Sequence, residues 1–468
     1  MTTPRGESCV VLCAEYGVRR MTLQHNNNAT MTTLVDRTVS KTPVEFGPAL
    51  LKEFLIDPEY HNLNHGSFGT YPRAVHEKRL EYLTRAEAQS DIFLRHQYPA
   101  LLEESRAALA EHLNAPVETL ILAANATTAL NIIIRNFIWA DDGKDEVISF
   151  STIYGSCEKT VEYLVDTNPG RLSSRTIPLT YPLEDDTIVD LFRAAVEKSR
   201  SEGKRPRVAI YDVVTSQPGV RFPFEAVTKA CRELGVVSLV DGAQGIGMVP
   251  IDLTALDADY FLSNCHKWLH VPRGCAVVYV PVRNHAHITS TLPTNHSYVT
   301  QTGPNAKPRA STDEVDPAAF AERFAFIGAW EVSPYCCVKD SVRWRKEVLG
   351  GEQRIVDYLW KLAKEGGRKT AEVLGTEVLE NAAGTLTNCA MVNVFLPIEA
   401  PAEDEAGIAA FVIEVLREEY KTFVPVGVHG GRWYARISAQ VYLGLDDFVW
   451  AGETLKAVCE RIAKGEYK

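Results

Sequence analysis

The sequence predicts an α/β protein: a mostly parallel sheet covered by helices, followed by a smaller α+β unit. Three observations carry this expectation. From about residue 100 to 280, segments of helical spacing alternate with short apolar, β-branched runs that end in polar or Gly/Pro turns. Strands joined through helices run parallel, and such a sheet needs cover on both faces. At 468 residues the chain exceeds one ordinary core, so two units and a tail are expected. Thr127, Ser216, Asp241 and Lys267 each fall at or just beyond the end of an apolar run, where sheets of this kind carry their sites.

In chain order, the first 45 residues are Thr/Asn-rich, with Asn26-Asn27-Asn28 in the middle, and read as a disordered tail. Leu101–Leu113 has helical spacing, and Thr119–Ala123 is a short apolar run. Thr127–Phe137 is helical through Leu130, Ile133, Ile134 and Phe137. Val147–Phe150 reads as a strand and Val189–Lys198 as a helix. Arg207–Val214, Val236–Val240, Tyr260–Leu262 and Ala276–Val280 are β-rich. Residues 284–325 are polar and carry Pro293, Pro304, Pro308 and Pro317, so they read as a long connection. The second unit opens with a helix over about 332–348 and a longer one over about 351–373. Alternating elements then lead to a helix ending near 465. The expected divisions are a tail at 1–45, a large unit at 46–310 and a small unit at 311–468.

Composition narrows the classes. With 46% hydrophobic and 23% charged residues the chain is an ordinary globular one, and its net charge of −11 disfavours nucleic acid and anionic membranes. Ten cysteines form no CxxC pair, which points to reduced thiols in the cytosol and to no metal site. No run of about 18 apolar residues is present to span a membrane. Arg19 and Arg20 hint at a targeting peptide, against which stand Glu7 and Glu15.

The chemistry centres on Lys267, in Ser263-Asn264-Cys265-His266-Lys267-Trp268-Leu269, which lies 26 residues after Asp241 in Val240-Asp241-Gly242-Ala243-Gln244. An acid and a lysine at the ends of two apolar strands are what pyridoxal phosphate requires. The amine forms a Schiff base with the cofactor aldehyde, and the carboxylate keeps the pyridine nitrogen protonated. Such a lysine must be partly desolvated, and Trp268, Leu269 and Val271 supply the apolar surround. The bland alternative is a surface lysine after a buried strand.

Asn125-Ala126-Thr127-Thr128 joins a strand to a helix. The amides of Ala126, Thr127 and Thr128 with two hydroxyls suit a phosphate; the alternative is a simple capped helix. Tyr154 is placed to lay its ring on the cofactor, and Ser216 to meet the ring oxygen or phosphate. Gln244 is placed for the phenolic oxygen and His266 for the phosphate. Arg436, inside the apolar run Trp433–Ser438, needs a partner: a substrate carboxylate or a structural acid.

The order Leu63-Asn64-His65-Gly66-Ser67-Phe68-Gly69, Asn125–Leu130, Asp241–Gln244, His266-Lys267 and Arg436-Ile437-Ser438 resembles the class V aminotransferase family of fold-type I pyridoxal phosphate enzymes, in its isopenicillin N epimerase-like branch. The resemblance covers roughly residues 55 to 465. It implies a seven-stranded large-domain sheet, Lys267 as the Schiff-base lysine and Asp241 as the pyridinium partner. It further implies Tyr154 stacked on the ring, Arg436 on the α-carboxylate, Asn64 and His65 near the substrate, and a homodimer with a shared active site. Many relatives carry Gly-Thr-x-Asp at the start of the second unit, the threonine reaching the partner subunit's phosphate. This chain has Gly328-Ala329-Trp330-Glu331 there, so Trp330 is expected to shape the substrate pocket instead.

Desulfurases of the family need a nucleophilic cysteine on the loop before the carboxylate-binding arginine, and none lies between Cys389 and Cys459. The likeness runs instead to carbon–sulfur lyases of fungal ergothioneine biosynthesis. It implies β-elimination from hercynylcysteine sulfoxide, with pyruvate and ammonia released and Tyr154 or Cys157 assisting the departing sulfur. An epimerase or aminotransferase on the same scaffold, and a non-catalytic binding protein, are the rivals. A cage for a trimethylammonium group is expected from Phe68, Tyr71, Trp330, Trp433 and Tyr434.

Overall fold

The sheet that the apolar runs predict has seven strands: β1 (Leu120–Ala123), β2 (Asp145–Phe150), β3 (Leu172–Ile177), β4 (Arg205–Asp212), β5 (Val237–Asp241), β6 (Tyr260–Asn264) and β7 (Ala276–Tyr279). This computed structural model describes residues 43–304, 306–307, 316–399 and 404–468. The strands lie in the order β1-β7-β6-β5-β4-β2-β3, and only β7 runs against its neighbours. Side chains alternate across the sheet. Val208 and Ile210 of β4 join the helices Ala126–Ile134 and Gly155–Thr167 in one apolar core, while Ala209 and Tyr211 join the core on the other face. Both faces are therefore dry, as a largely parallel sheet requires.

The last third holds an antiparallel sheet of β8 (Met391–Phe395), β9 (Val426–His429) and β10 (Arg432–Ser438), in the order β8-β10-β9. The long helix Glu352–Leu374 packs on it so closely that a Cβ at Gly367 would lie 2.4 Å from Val392. The end of β10 docks onto the segment before the first strand: the Ser438 amide donates to the Leu63 carbonyl (2.8 Å), and the Gly66 amide to the Ser438 hydroxyl (3.2 Å). This docking brings Arg436 to the large sheet.

Several boundaries differ from expectation. Part of the long polar connection folds: Val282–His287 forms a 3-10 turn, and Pro317–Ala325 is a helix. Asp316 caps that helix by accepting from the Ala318 amide at 2.9 Å, and Phe320 and Phe324 anchor it. The helix expected at 332–348 is two pieces, Ser333–Cys336 and Val338–Glu347. The expected tail lies outside the described residues except for 43–45, and there the Val44 amide donates to Val348 (3.1 Å). The expected division at 310/311 also lies outside them. Among the described residues no helix is long and apolar enough to cross a membrane, and no three His, Cys, Asp or Glu side chains are grouped to hold a metal.

Candidate active site

Strand geometry alone gathers three polar groups. β4 and β5 run parallel with Asp212 opposite Asp241. Counting by twos along β4, β5 and β6 places Asp212, Asp241 and Asn264 on the face covered by the helices Ala126–Ile134 and Gly155–Thr167. Asn264 Oδ1 accepts from the Ala126 amide (2.9 Å), tying strand end to helix start. Asp241 is 3% exposed; its Oδ1 accepts from the Ala243 amide (2.8 Å) and its Oδ2 from the Cys157 thiol (3.4 Å). Burial raises the pKa of Asp241, and burial followed by the nearby Asp241 charge pushes Asp212 well above the usual carboxylate range.

Lys267 lies in the turn after β6. Desolvation brings its amine down to about 8, with Arg436 pushing the same way and Asp241 and Asp212 pulling back. Its backbone is held from two sides. His65 Nε2 bonds the Lys267 carbonyl (2.7 Å) while Nδ1 meets the Tyr442 hydroxyl (3.1 Å). Arg345, fully buried, donates to the carbonyls of Trp268 (2.7 Å) and Gly247 (2.9 Å) and to both oxygens of Glu352 (2.6 and 2.5 Å). The segment Asn64–Gly69 is laid against this turn. Gly69 has φ +65°, and a Cβ there would stand 1.9 Å from the His266 carbonyl oxygen, so only glycine permits the contact.

Arg436 is 2% exposed, and no carboxylate pairs with it among the described residues. Nη1 donates to the Ser216 carbonyl (2.6 Å); Nη2 donates to Asn64 Oδ1 (2.7 Å) and to the Ser67 hydroxyl (3.0 Å); Nε has no partner. Burial lowers its pKa to about 10. The Ser216 turn is itself pinned: Asn393 exchanges two 2.9 Å bonds with the Gly219 backbone. Gly219 leaves room for the arginine, because a Cβ would come within 2.8 Å of Arg436 Cδ. A buried guanidinium without a counter-charge favours a carboxylate from solution, so the structural salt bridge is not the explanation.

Other expected site residues fare differently. The Ala126 amide is taken by Asn264 and the Thr128 amide by its cap Asn125 (2.8 Å). The Thr127 amide and the two threonine hydroxyls remain for an anion at the helix start. Tyr154 stands at the start of Gly155–Thr167 with its ring 46% exposed. Cys157 does not face the same space: it is 1% exposed beneath Asp241, and burial followed by the Asp241 charge raises its thiol pKa, so it is no proton donor to a departing sulfur. Gln244 is held in place by two bonds, its amide nitrogen donating to the Gly66 carbonyl (2.6 Å) and its oxygen accepting from Trp268 Nε1 (2.7 Å), and the second amide hydrogen is left for a phenolic oxygen.

His266 Nδ1 meets the Cys275 carbonyl (3.1 Å), an acceptor only, so Nδ1 carries the hydrogen. Burial holds the ring near 4 and therefore neutral, leaving Nε2 a lone pair; a phosphate beside it would favour the protonated ring, which would then donate from Nε2. His65, also near 4, spends both nitrogens on positioning rather than on substrate. Trp330 packs edge-on against Tyr335 (5.4 Å). The expected cage is dispersed: Tyr71 accepts from Arg79 (3.1 Å), Tyr434 packs on Gly427, and Trp433 lines a separate cavity with Cys459. Asp212, Asn264 and the Arg345–Glu352 pair were not singled out from sequence. Asp212 carries a weaker signal than Asp241, an acid that interrupts the apolar run Arg207–Val214 rather than ending it.

The set fits pyridoxal phosphate. It offers a partly desolvated amine near 8 for the aldehyde, a buried carboxylate near it for the ring nitrogen, and a helix start with a spare amide and hydroxyls for the phosphate.

Comparison with known proteins agrees. The family model for aminotransferase class-V matches residues 67–298. The chain is similar to an L-cysteine desulfhydrase-like protein of Epichloe uncinata, 36% identical over 92% of this chain and 99% of that one. It is also similar to the hercynylcysteine sulfoxide lyase of Schizosaccharomyces pombe, 28% identical over 88% and 98%. The cystine C–S lyase C-DES, solved with its product cysteine persulfide, has the same fold: TM-score 0.67 and 17% identity over 87% of this chain and 98% of that one.

Proposed function

The chain belongs to the class V aminotransferase family, whose cofactor is pyridoxal phosphate, and from that premise we propose that it is a β-eliminating carbon–sulfur lyase acting on a cysteine-derived sulfoxide. Hercynylcysteine sulfoxide is the specific substrate of this reading; the products are a sulfenic form of the thiol, pyruvate and ammonia. The bound cofactor supplies an electron sink for the pair left on Cα.

The protein's own groups do the rest. Arg436 forks the α-carboxylate, exchanging its lone hold on neutral oxygens for a charge. Lys267, with an amine near 8, takes the Cα proton near neutral pH. With the cofactor bound, Asp241 would keep a proton on its ring nitrogen, Thr127, Thr128 and Ser216 would hold its phosphate, and Tyr154 would protonate the departing sulfur. Cys157, buried under Asp241, orients that carboxylate. The carrying observation is Arg436, a buried cation with no acid of its own among the described residues, near a partly desolvated amine. Elimination is favoured over sulfur transfer because 424–434 holds no cysteine and Cys389 is buried. The names of the Epichloe and Schizosaccharomyces relatives support cleavage at a C–S bond.

The reading includes a cytosolic homodimer with a large unit at 46–310 and a small one at 311–468. The test is to incubate the holoprotein with cysteine-conjugate sulfoxides and no keto acid, following pyruvate through lactate dehydrogenase. Pyruvate release is expected. A D-amino acid without pyruvate would make it an epimerase, and dependence on an added keto acid an aminotransferase.

A further inference from the structure

A groove of about 470 Å³ opens beside the lysine and the arginine. Its walls are two stretches far apart in sequence, 60–69 and 413–426, with Gln217 between them. Continuity with the site is direct. Asn64 and Ser67 line the groove and also bond Arg436 (2.7 and 3.0 Å). Gln217 follows the residue whose carbonyl takes the other arm of that arginine (2.6 Å). Gly69, at the groove edge, is pressed on the His266–Lys267 backbone.

The lining chemistry is narrow. Three rings, Tyr60, Phe68 and Phe423, stand with the carboxamides of Asn62, Asn64 and Gln217, and no carboxylate, ammonium or guanidinium is among the described lining residues. Phe68 is 71% exposed, the most exposed large apolar side chain among the described residues, and it sits at the groove edge. A lone exposed ring is common on protein surfaces; this one lines the same groove as Tyr60 and Phe423, so its face is available to a ligand there. The volume lies in the range of small-molecule sites, far more than one sulfur atom fills.

We propose that this groove is the subsite for the group carried on the substrate's sulfur, and that it selects a flat heteroaromatic substituent, neutral or cationic, over a bare thiol or an anionic chain. The proposal rests on the lyase reading above. Ring faces hold a flat or cationic group by stacking and by their quadrupole, and the carboxamides satisfy ring nitrogens. An anionic chain finds no counter-charge on these walls.

The test uses the holoenzyme with three probes: the sulfoxides of S-(4-pyridylmethyl)-, S-methyl- and S-carboxymethyl-L-cysteine. The pyridyl compound is expected to show kcat/KM about tenfold or more above the other two, the worth of one good aromatic contact. Phe68→Ala, which removes an exposed ring and leaves the core intact, and Phe423→Leu should each reduce the pyridyl-to-methyl ratio several-fold. Equal kcat/KM for the three probes, or a ratio unmoved by both variants, overturns the groove. Absence of pyruvate from every probe defeats the lyase reading instead. The groove is then judged by competition between S-(4-pyridylmethyl)- and S-methyl-L-cysteine for the holoenzyme, where equal affinity overturns it and a pyridyl preference lost in Phe68→Ala upholds it.

Discussion

Replacing Lys267 by methionine in the cofactor-free protein removes a cation that the fold holds out of water while keeping most of the packed aliphatic stem. Folding lowers the amine from 10.5 to about 8, so the native state binds this proton more weakly than the unfolded chain does. Each tenfold weakening costs about 1.4 kcal/mol, which sets the cost of folding around the ammonium at about 3 kcal/mol. Because this is a base whose pKa falls on folding, the cost is fully present below about pH 8 and fades as the pH climbs through 10.5, where the unfolded chain also gives up its proton. Urea unfolding of wild type and Lys267→Met, at one protein concentration, measures it. The variant should be more stable by about 3 kcal/mol at about pH 7 and by about 1.4 kcal/mol at about pH 9.5. A variant less stable than wild type at neutral pH, or a gap that does not shrink with rising pH, refutes the idea that the lysine is held as an unwelcome cation.

Arg436→Lys keeps a charge but loses the fork that reaches Ser216, Asn64 and Ser67 at once; KM should rise about 10- to 100-fold in steady-state assays while the cofactor absorbance persists. Cys157→Ala should change kcat by less than about threefold and leave its pH profile in place, since a thiol buried under Asp241 is not the acid; a loss of about a hundredfold would restore it to that role. Gly69→Ala forces a Cβ into the His266 carbonyl at φ +65°, so thermal unfolding should show a loss of about 2 kcal/mol or more and cofactor retention should fall; an unchanged melting temperature would mean that the contact yields freely.

Much of the sheet was legible because both of its faces are dry, so Val147–Phe150, Arg207–Val214 and Tyr260–Leu262 stand out as apolar runs. Asp241 and Lys267 were legible for the complementary reason: a charge closing such a run is costly unless it is used. Asp212 closes its strand in the same way, yet the apolar pattern of the sequence continues past it through Val213 and Val214, which hides the strand's end. β3 escaped notice because an edge strand needs few apolar residues, and Leu172 and Ile177 are separated by Ser-Ser-Arg-Thr. What holds Gln244 in place was not legible, because its partner Gly66 lies 178 residues away. The groove was illegible for the same reason, its walls belonging to opposite ends of the chain.

The buried Arg345 has a mechanical consequence. One guanidinium clasps the backbone after Lys267 and, through Glu352, the first turn of the long helix that backs β8, whose neighbour β10 carries Arg436. The amine and the carboxylate fork are thus jaws of one rigid caliper, joined behind the site by a rivet that no solvent reaches. A caliper of fixed span measures what every α-amino acid has in common, the distance from Cα to its carboxylate, and has no tolerance for anything else there. Variety among substrates is left to whatever projects beyond the jaws, so divergence toward new substrates in this fold is free to rework the walls at 60–69 and 413–426 while the gauge stays as it is.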